Sequence, residues 1–108
     1  MPLKLNIFTG NLDIVNKVVT VESKSAAFTA EDKKTYLVDS SGGAVTVTLP
    51  APKSGVTISI KDIGNAETNN ITINPNAAED IDGTSSYVIT SNFETIKLTS
   101  DGTDYFII

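Results

Sequence analysis

The side chains that could carry chemistry in this 108-residue chain are carboxylates and hydroxyls, because the sequence has no histidine and no cysteine. Ser-His and Cys-His nucleophile pairs are excluded, as are metal sites built on imidazole or thiolate ligands. The densest carboxylate cluster is Glu79-Asp80-Ile81-Asp82-Gly83, and Asp101-Gly102-Thr103-Asp104 is a second candidate calcium loop. Neither supplies the further oxygen ligands and the distal glutamate that a full calcium loop needs. We interpret the first as an acidic turn anchored by Ile81, and the second as a hairpin turn.

Catalysis by two carboxylates and recognition of sugars are the remaining chemical alternatives. A glycosidase needs two carboxylates on opposite sides of a substrate groove, and a short chain of short strands offers little room for one. We therefore predict a protein that is not an enzyme and that has no metal and no cofactor. Sugar platforms use flat aromatic rings, for which Tyr36, Tyr87, Tyr105 and Phe93 are the candidates. Each is more easily explained as a core or rim aromatic of a strand.

The charge balance limits the partners. The net charge is -5 and the pI is about 4.4, which argues against binding nucleic acid or anionic lipid. The absence of cysteine fits a reducing cytoplasm. No secretion signal pattern follows Met1, and no apolar run approaches the roughly 18 residues of a membrane span. We expect no membrane partner.

The stretch from Tyr36 to Asp62 sets the pattern of the chain, since apolar residues alternate with Thr, Ser and Lys between turns rich in Gly and Pro. This pattern is typical of strands with one buried face. It predicts an all-β fold, a small antiparallel β-sandwich or barrel of short strands with an extended N-terminal arm. The predicted strands are Thr35–Asp39, Ala44–Leu49, Thr57–Asp62, Asn70–Asn74, Ser86–Thr90, Thr95–Ser100 and Asp104–Ile108.

The same alternation predicts the core and the outer faces. Val45 to Pro50 and Ile71 to Pro75 echo each other, which equivalent positions in a sandwich explain without a solenoid. The outward faces are rich in Thr, Ser and Asn, and edge strands without lysines favour assembly with other chains. The predicted core residues are Tyr36, Val38, Val45, Val47, Leu49, Ile58, Ile60, Ile71, Ile73, Ile81, Val88, Ile96, Leu98, Phe106 and Ile108.

Three regions follow from the composition. We interpret residues 1–23 as an attachment arm that adds a strand to a partner or fills its grooves; the alternative is a pair of edge strands of the same domain. Residues 24–34 are a polar connector, where Thr29 and Asp32 have capping-box spacing and one helical turn fits at most. Residues 35–108 form the β-domain. The predicted partner-binding residues of the arm are Leu3, Leu5, Ile7, Phe8, Leu12, Ile14 and Val15.

Several of these stretches together resemble a β-module of tailed-bacteriophage virion structural proteins. The N-terminal segment from Phe8 to Val15 is similar to the opening segment of phage tail-fibre and head-decoration proteins, which commonly have proline at the position of Phe8. The resemblance covers most of the chain. The matching stretches of the β-domain are Tyr36–Asp39, Gly42–Pro50, Ile58–Asp62, Asn70–Ile73, Ile81–Gly83, Tyr87–Ile89 and Ser100–Ile108.

The resemblance implies a non-enzymatic component of the virion, assembled in the host cytoplasm. Such proteins are often homotrimers whose N-terminal segment binds the major capsid protein or another virion protein while the β-domain faces outward. With one module and no long shaft, we expect a capsid decoration protein, also termed a cement or head-fibre protein, that stabilises the shell. The alternatives are a small tail or tail-fibre component, and a carbohydrate-binding adhesion module with weak binding to surface glycans.

Overall fold

The computed structural model describes residues 19–108, which form β-strands joined by turns and contain no helix. The predicted all-β class is confirmed. All seven strands predicted within residues 35–108 are present, and two more precede them. The nine strands are β1 (Thr20–Lys24), β2 (Phe28–Thr29), β3 (Lys34–Val38), β4 (Val45–Thr48), β5 (Thr57–Asp62), β6 (Ile71–Asn74), β7 (Tyr87–Ile89), β8 (Thr95–Ser100) and β9 (Tyr105–Ile107).

The strands make two sheets that enclose one core. The first has five strands in the order β1-β3-β5-β8-β9, and the second has four in the order β2-β4-β6-β7. Apolar side chains of both sheets form one buried cluster, with Ile58 and Ile60 of the first sheet and Ile71 and Ile73 of the second fully buried. The rings of Phe28 and Tyr36, from opposite sheets, lie 4.6 Å apart between their centroids. The fold is therefore a sandwich rather than a barrel.

Both sheets are mixed, whereas the sequence predicts antiparallel pairing. The antiparallel arrangement holds for β5 with β8, β8 with β9 and β6 with β7. The strand pairs β1–β3, β3–β5, β2–β4 and β4–β6 are parallel. The reason is that the first six strands alternate between the two sheets. Each connection crosses to the other sheet, so the chain re-enters a sheet in its earlier direction and winds as a flattened coil.

The echo between Val45–Thr48 and Ile71–Asn74 has its origin in this winding. The two segments are β4 and β6, which pair in parallel with Val45 opposite Ile71 and Thr48 opposite Asn74. They occupy the same position in successive coils and place β-branched apolar residues, and likewise polar residues, one above the other. The solenoid relationship that the sequence led us to set aside is therefore present locally.

The predicted core residues are all buried except Val88, Phe106 and Ile108, where the prediction is wrong. Val88 and Phe106 are each 39% exposed, while their neighbours Ile89 and Tyr105 are fully buried. Partners directly opposite in an antiparallel pair share a face. Ile89 lies opposite the buried Ile71, so Val88 must point outward. A shift of one residue exchanges the two faces of a strand.

The strands that the sequence misses lie in the predicted arm and connector. Of the arm, residues 19–23 are within the described part of the chain and belong largely to β1, which pairs with β3. The connector contains β2, so the one helical turn at Thr29 to Asp32 is not formed. Asp32 instead accepts a hydrogen bond from the backbone N–H of Thr57 at 2.9 Å.

Candidate interaction surface

The predicted partner-binding residues of the arm lie outside the described residues 19–108. The described chain begins beside β1, the outermost strand of the five-stranded sheet, and Val19 and Val21 are 53% and 59% exposed there. On the inner side of the same strand, Glu22 forms an ion pair with Lys34. A second ion pair joins Lys34 to Glu31 at 3.1 Å, and these carboxylates hold the pKa of Lys34 above its usual value. These ion pairs join β1 to β3 and to the segment just before β3.

In the turn from Glu79 to Gly83, the Glu79 carboxylate binds the backbone just before it. Glu79 accepts hydrogen bonds from the N–H groups of Asn76 and Ala77 at 2.9 and 3.1 Å. Ile81 is fully buried, which confirms the acidic turn anchored in the core. No group of three or more Asp or Glu residues placed to hold a metal ion occurs within residues 19–108.

The turn from Asp101 to Asp104 joins β8 to β9, which confirms the hairpin interpretation. Hydrogen bonds from the N–H groups of Asp104 and Thr103 lower the pKa of the Asp101 carboxyl. The Asp104 carboxylate accepts a hydrogen bond from the N–H of Asp80 at 3.0 Å, so this turn lies against the other acidic turn. We name residues 79–83 and 101–104 together the acidic corner.

The acidic corner also covers the outer edge of β9. The N–H of Tyr105 donates to the carbonyl of Asp80 at 2.9 Å, and the N–H of Asp82 donates to the carbonyl of Tyr105 at 3.0 Å. The Asp82 carboxylate accepts a hydrogen bond from the N–H of Ile107 at 3.1 Å. Backbone groups that could bind another strand are therefore used within the chain.

Asp62 has a buried carboxylate whose role the sequence analysis missed. Its side chain is fully buried and accepts four hydrogen bonds. The donors are the Ser40 hydroxyl at 3.0 Å and the N–H groups of Gly64, Phe93 and Ala66 at 3.1, 3.1 and 3.3 Å. We name these five residues the Asp62 network. The alternation of Thr57–Asp62 could have revealed it, since Asp62 shares the inward side with Ile58 and Ile60.

The Asp62 network holds three loops together by charge-assisted hydrogen bonds. Burial would raise the pKa of the Asp62 carboxyl, but the N–H groups and the Ser40 hydroxyl outweigh it and hold the pKa below its usual range. Each donor comes from a loop at the same end of the sandwich. The carboxylate therefore replaces backbone pairing where the strands end, and it is a structural group with no opening to a substrate.

The four aromatic candidates for a sugar platform are not equally accessible. Tyr36 and Tyr105 are buried, and the Tyr105 hydroxyl donates to the carbonyl of Pro50 at 2.7 Å. Burial raises the pKa of Tyr105 to about 12. Tyr87 is half-buried, and its hydroxyl donates to Glu94. Only Phe93 among these four is exposed, at 62%, and its φ of 64° is in the left-handed region.

The outward faces of both sheets lack carboxylates. Every Asp and Glu among residues 19–108 lies in a turn or loop, or, as with Glu22 and Asp62, on the inward side of a strand. The outward residues of the four-stranded sheet carry no charge and are Thr29, Thr46, Thr48, Thr72, Asn74 and Val88. Those of the five-stranded sheet, with the adjoining Ile108, are Val21, Ser23, Thr35, Leu37, Thr57, Ser59, Lys61, Thr95, Lys97, Thr99, Phe106 and Ile108.

The outer face of the five-stranded sheet also contains a groove of about 300 Å³. Hydroxyl-bearing side chains form its floor and three lysines contribute to its rim, with no carboxylate in the lining. The lining residues are Val19, Lys33, Lys34, Thr35, Thr57, Ser59 and Lys97. This face is the best candidate interaction surface among the described residues, because it combines exposed apolar side chains with charge of one sign.

Comparison with known proteins adds no relative. A scan against models of known protein families and a search of curated proteins match nothing to this sequence. Within residues 19–108, none of the structure is a helix capable of spanning a bilayer.

Proposed function

We propose that the protein is a non-enzymatic structural component of a bacteriophage virion, and more narrowly a capsid decoration protein. Its N-terminal segment binds the capsid surface while the β-sandwich faces outward. The family resemblance supplies the class of particle. The support from the site is that Asp62, and every carboxylate of the acidic corner except Asp80, accepts hydrogen bonds that hold turns and loops. Those carboxylates are thus engaged in holding the sandwich.

The observation that carries the proposed mode of attachment is the position of Val19 and Val21. Val21 is exposed on the outermost strand of a sheet and Val19 is exposed directly before that strand, where the apolar N-terminal segment joins the sandwich. A segment that leaves from such a strand can reach a neighbouring surface without disturbing the core. Apolar area that it buries there favours association, because removing apolar surface from water is favourable, and this stabilises the junction between capsid subunits.

The direct test is to add the protein to capsids that lack it and to follow their heat resistance. The proposal predicts saturable binding at fixed stoichiometry and a higher temperature of capsid disruption. Unchanged disruption with no bound protein would overturn it. Binding to isolated tails in place of capsids would move the protein to the tail-component alternative.

The arm is tested by a deletion whose end point the structure defines. A cut after residue 22 would remove three of the five residues of β1, so removal of residues 1–18 is the cleaner variant. We expect the shortened chain to keep its circular dichroism spectrum and melting temperature and to lose capsid binding. Retained binding would show that the sandwich itself is the anchor.

A further inference from the structure

The outer face of the five-stranded sheet concentrates the exposed apolar side chains of the described chain. Seven large apolar residues are exposed within residues 19–108, and four of them lie on this face. Val19 and Val21 are at its β1 side, and Phe106 and Ile108 at its β9 side, with Ile108 67% exposed. On the outward face of the four-stranded sheet, Val88 is the one exposed large apolar residue among the described residues. These side chains stand at the two edges of one face, so a partner that covers the whole face of the five-stranded sheet would bury both groups.

The charges on this face are all positive. Lys61 and Lys97 are its charged outward residues, and Lys33 lines the groove, whereas Lys34 lines the groove from the inward side of β3. Lys34 pairs with Glu22 and Glu31, and Lys33 pairs with Asp32 at 3.3 Å. Lys97 has no ion pair with any described residue. Because the chain as a whole has a net charge of -5, this positively charged face attracts the negatively charged surface of another copy.

A second copy of the same chain offers the complement. The acidic corner lies beside β9, at the opposite side of the sheet from β1. Asp80 is exposed there, and its carboxylate accepts no hydrogen bond from the described residues. The basic face of one copy can receive the acidic corner of the next in a head-to-tail contact. Such contacts close into rings, such as trimers, when the rotation between copies closes, whereas a two-fold pair would place each acidic corner on the face of the other copy.

We propose that the outer face of the five-stranded sheet is the surface through which copies of this chain associate, receiving the acidic corner of the next copy. The proposal rests on the proposed function, whose family resemblance implies a homotrimer. Five strands about 4.8 Å apart and six residues of about 3.3 Å give a flat area of roughly 500 Å². A stable interface buries about 800 Å² per partner, so the acidic corner must add to the contact.

The apolar part is tested with a matched pair of variants. Phe106 and Val88 are both 39% exposed and both stand in the middle of a three-residue strand, but on opposite faces of the sandwich. We expect a trimer for the full chain by light scattering across a range of concentrations. F106D should raise the dissociation constant at least tenfold, and V88D should leave it unchanged. Dissociation by V88D alone, or a monomer for the full chain at every concentration, overturns the proposal.

The charged part is tested with two variants of equal formal charge. K97E and the double variant T29E/T46E change the net charge identically, but Thr29 and Thr46 lie on the outward face of the four-stranded sheet. We expect K97E to weaken association at least tenfold at low salt, with less effect at high salt because exposed charges are screened. T29E/T46E should behave as the unaltered protein. Equal effects of the two variants would reduce the result to general repulsion and overturn head-to-tail pairing.

Failure of this inference and failure of the proposed function give different results. If the protein binds capsids but F106D and K97E do not weaken its self-association, the proposed function is supported and the proposed interface is wrong. If both variants weaken self-association but the protein binds no capsid, the interface is supported and the proposed function is wrong. Circular dichroism of all four variants separates loss of association from loss of folding.

Discussion

The Asp62 network and the acidic corner use the same functional group in opposite surroundings. Asp62 is fully buried and accepts hydrogen bonds from three loops that are distant in the sequence. In the acidic corner, Asp101 accepts hydrogen bonds from the N–H groups two and three residues later, in its own turn. A carboxylate that joins distant loops determines global stability. A carboxylate that closes its own turn contributes little to stability and leaves its charge at the surface, where it can act on partners.

The largest expected effect is that of Asp62→Ala. The variant leaves the Ser40 hydroxyl and three backbone N–H groups without their acceptor inside the protein. An unsatisfied buried donor costs about 1–3 kcal/mol, so we expect a loss of at least about 3 kcal/mol in the free energy of unfolding. Urea denaturation measures it. A loss below about 1 kcal/mol would show that water reaches these groups and that the contrast with the acidic corner is false.

Gly64→Ala tests how closely the loops of the Asp62 network approach each other. A Cβ at Gly64 would lie 2.4 Å from the backbone nitrogen of Ser40 and 2.5 Å from the Asp39 carboxylate. Overpacking of this kind typically costs about 1–3 kcal/mol. Gly42→Ala is the matched control, since a Cβ there meets nothing within 4 Å. We expect thermal melting to fall for Gly64→Ala only, and equal melting of both variants would contradict the packing.

The pH dependence of stability separates the two groups of carboxylates. Because the folded pKa of Asp62 is depressed, its stabilisation is present above the unfolded value of about 3.9 and is lost as pH falls through the folded pKa. We expect unfolding free energy to decline below about pH 4, and Asp62→Asn to flatten that decline more than Asp101→Asn. Asp101 has a depressed pKa as well, but solvent screens its exposed charge. Equal flattening by both variants would contradict this order.

Asp101→Ala should have the smallest effect. It removes the acceptor for the N–H groups of Thr103 and Asp104, which can bind water instead. We expect a loss below about 1 kcal/mol by urea denaturation. A loss as large as that of Asp62→Ala would mean that the hairpin turn, rather than the buried network, determines folding.

The sequence predicted the strands well and their pairing less well, for physical reasons. Thr57–Asp62 and Thr95–Ser100 have the predicted bounds because polar and apolar residues alternate there. Tyr87–Ile89 and Tyr105–Ile107 are apolar on both sides, so alternation could not tell Val88 and Phe106 from core residues. Parallel pairing depends on which sheet each connection enters, and no local pattern records that.

The candidate surfaces were predictable to a lesser degree. The two acidic turns were read correctly from Asp-Gly spacing, and the Thr-rich outward faces from alternation. The close approach of Gly64 to Ser40 and the gathering of Lys33 and Lys97 around one groove are tertiary facts. They depend on the winding of the coil, which brings together residues that the sequence separates. The attachment residues predicted in the arm lie outside the described chain and stay a prediction.

Because the outer edge of β9 is covered, the two edges of the five-stranded sheet differ in whether another strand can pair with them. Among residues 19–108 no strand pairs with the outer edge of β1, whereas the segment from Asp80 to Asp82 occupies the backbone groups of β9. Two copies that met through their β1 edges would leave only closed edges outside, and extension would stop at two. Fibril elongation needs a free edge at each end of every added unit. The covered edge of β9 therefore blocks open-ended polymerisation through this sheet.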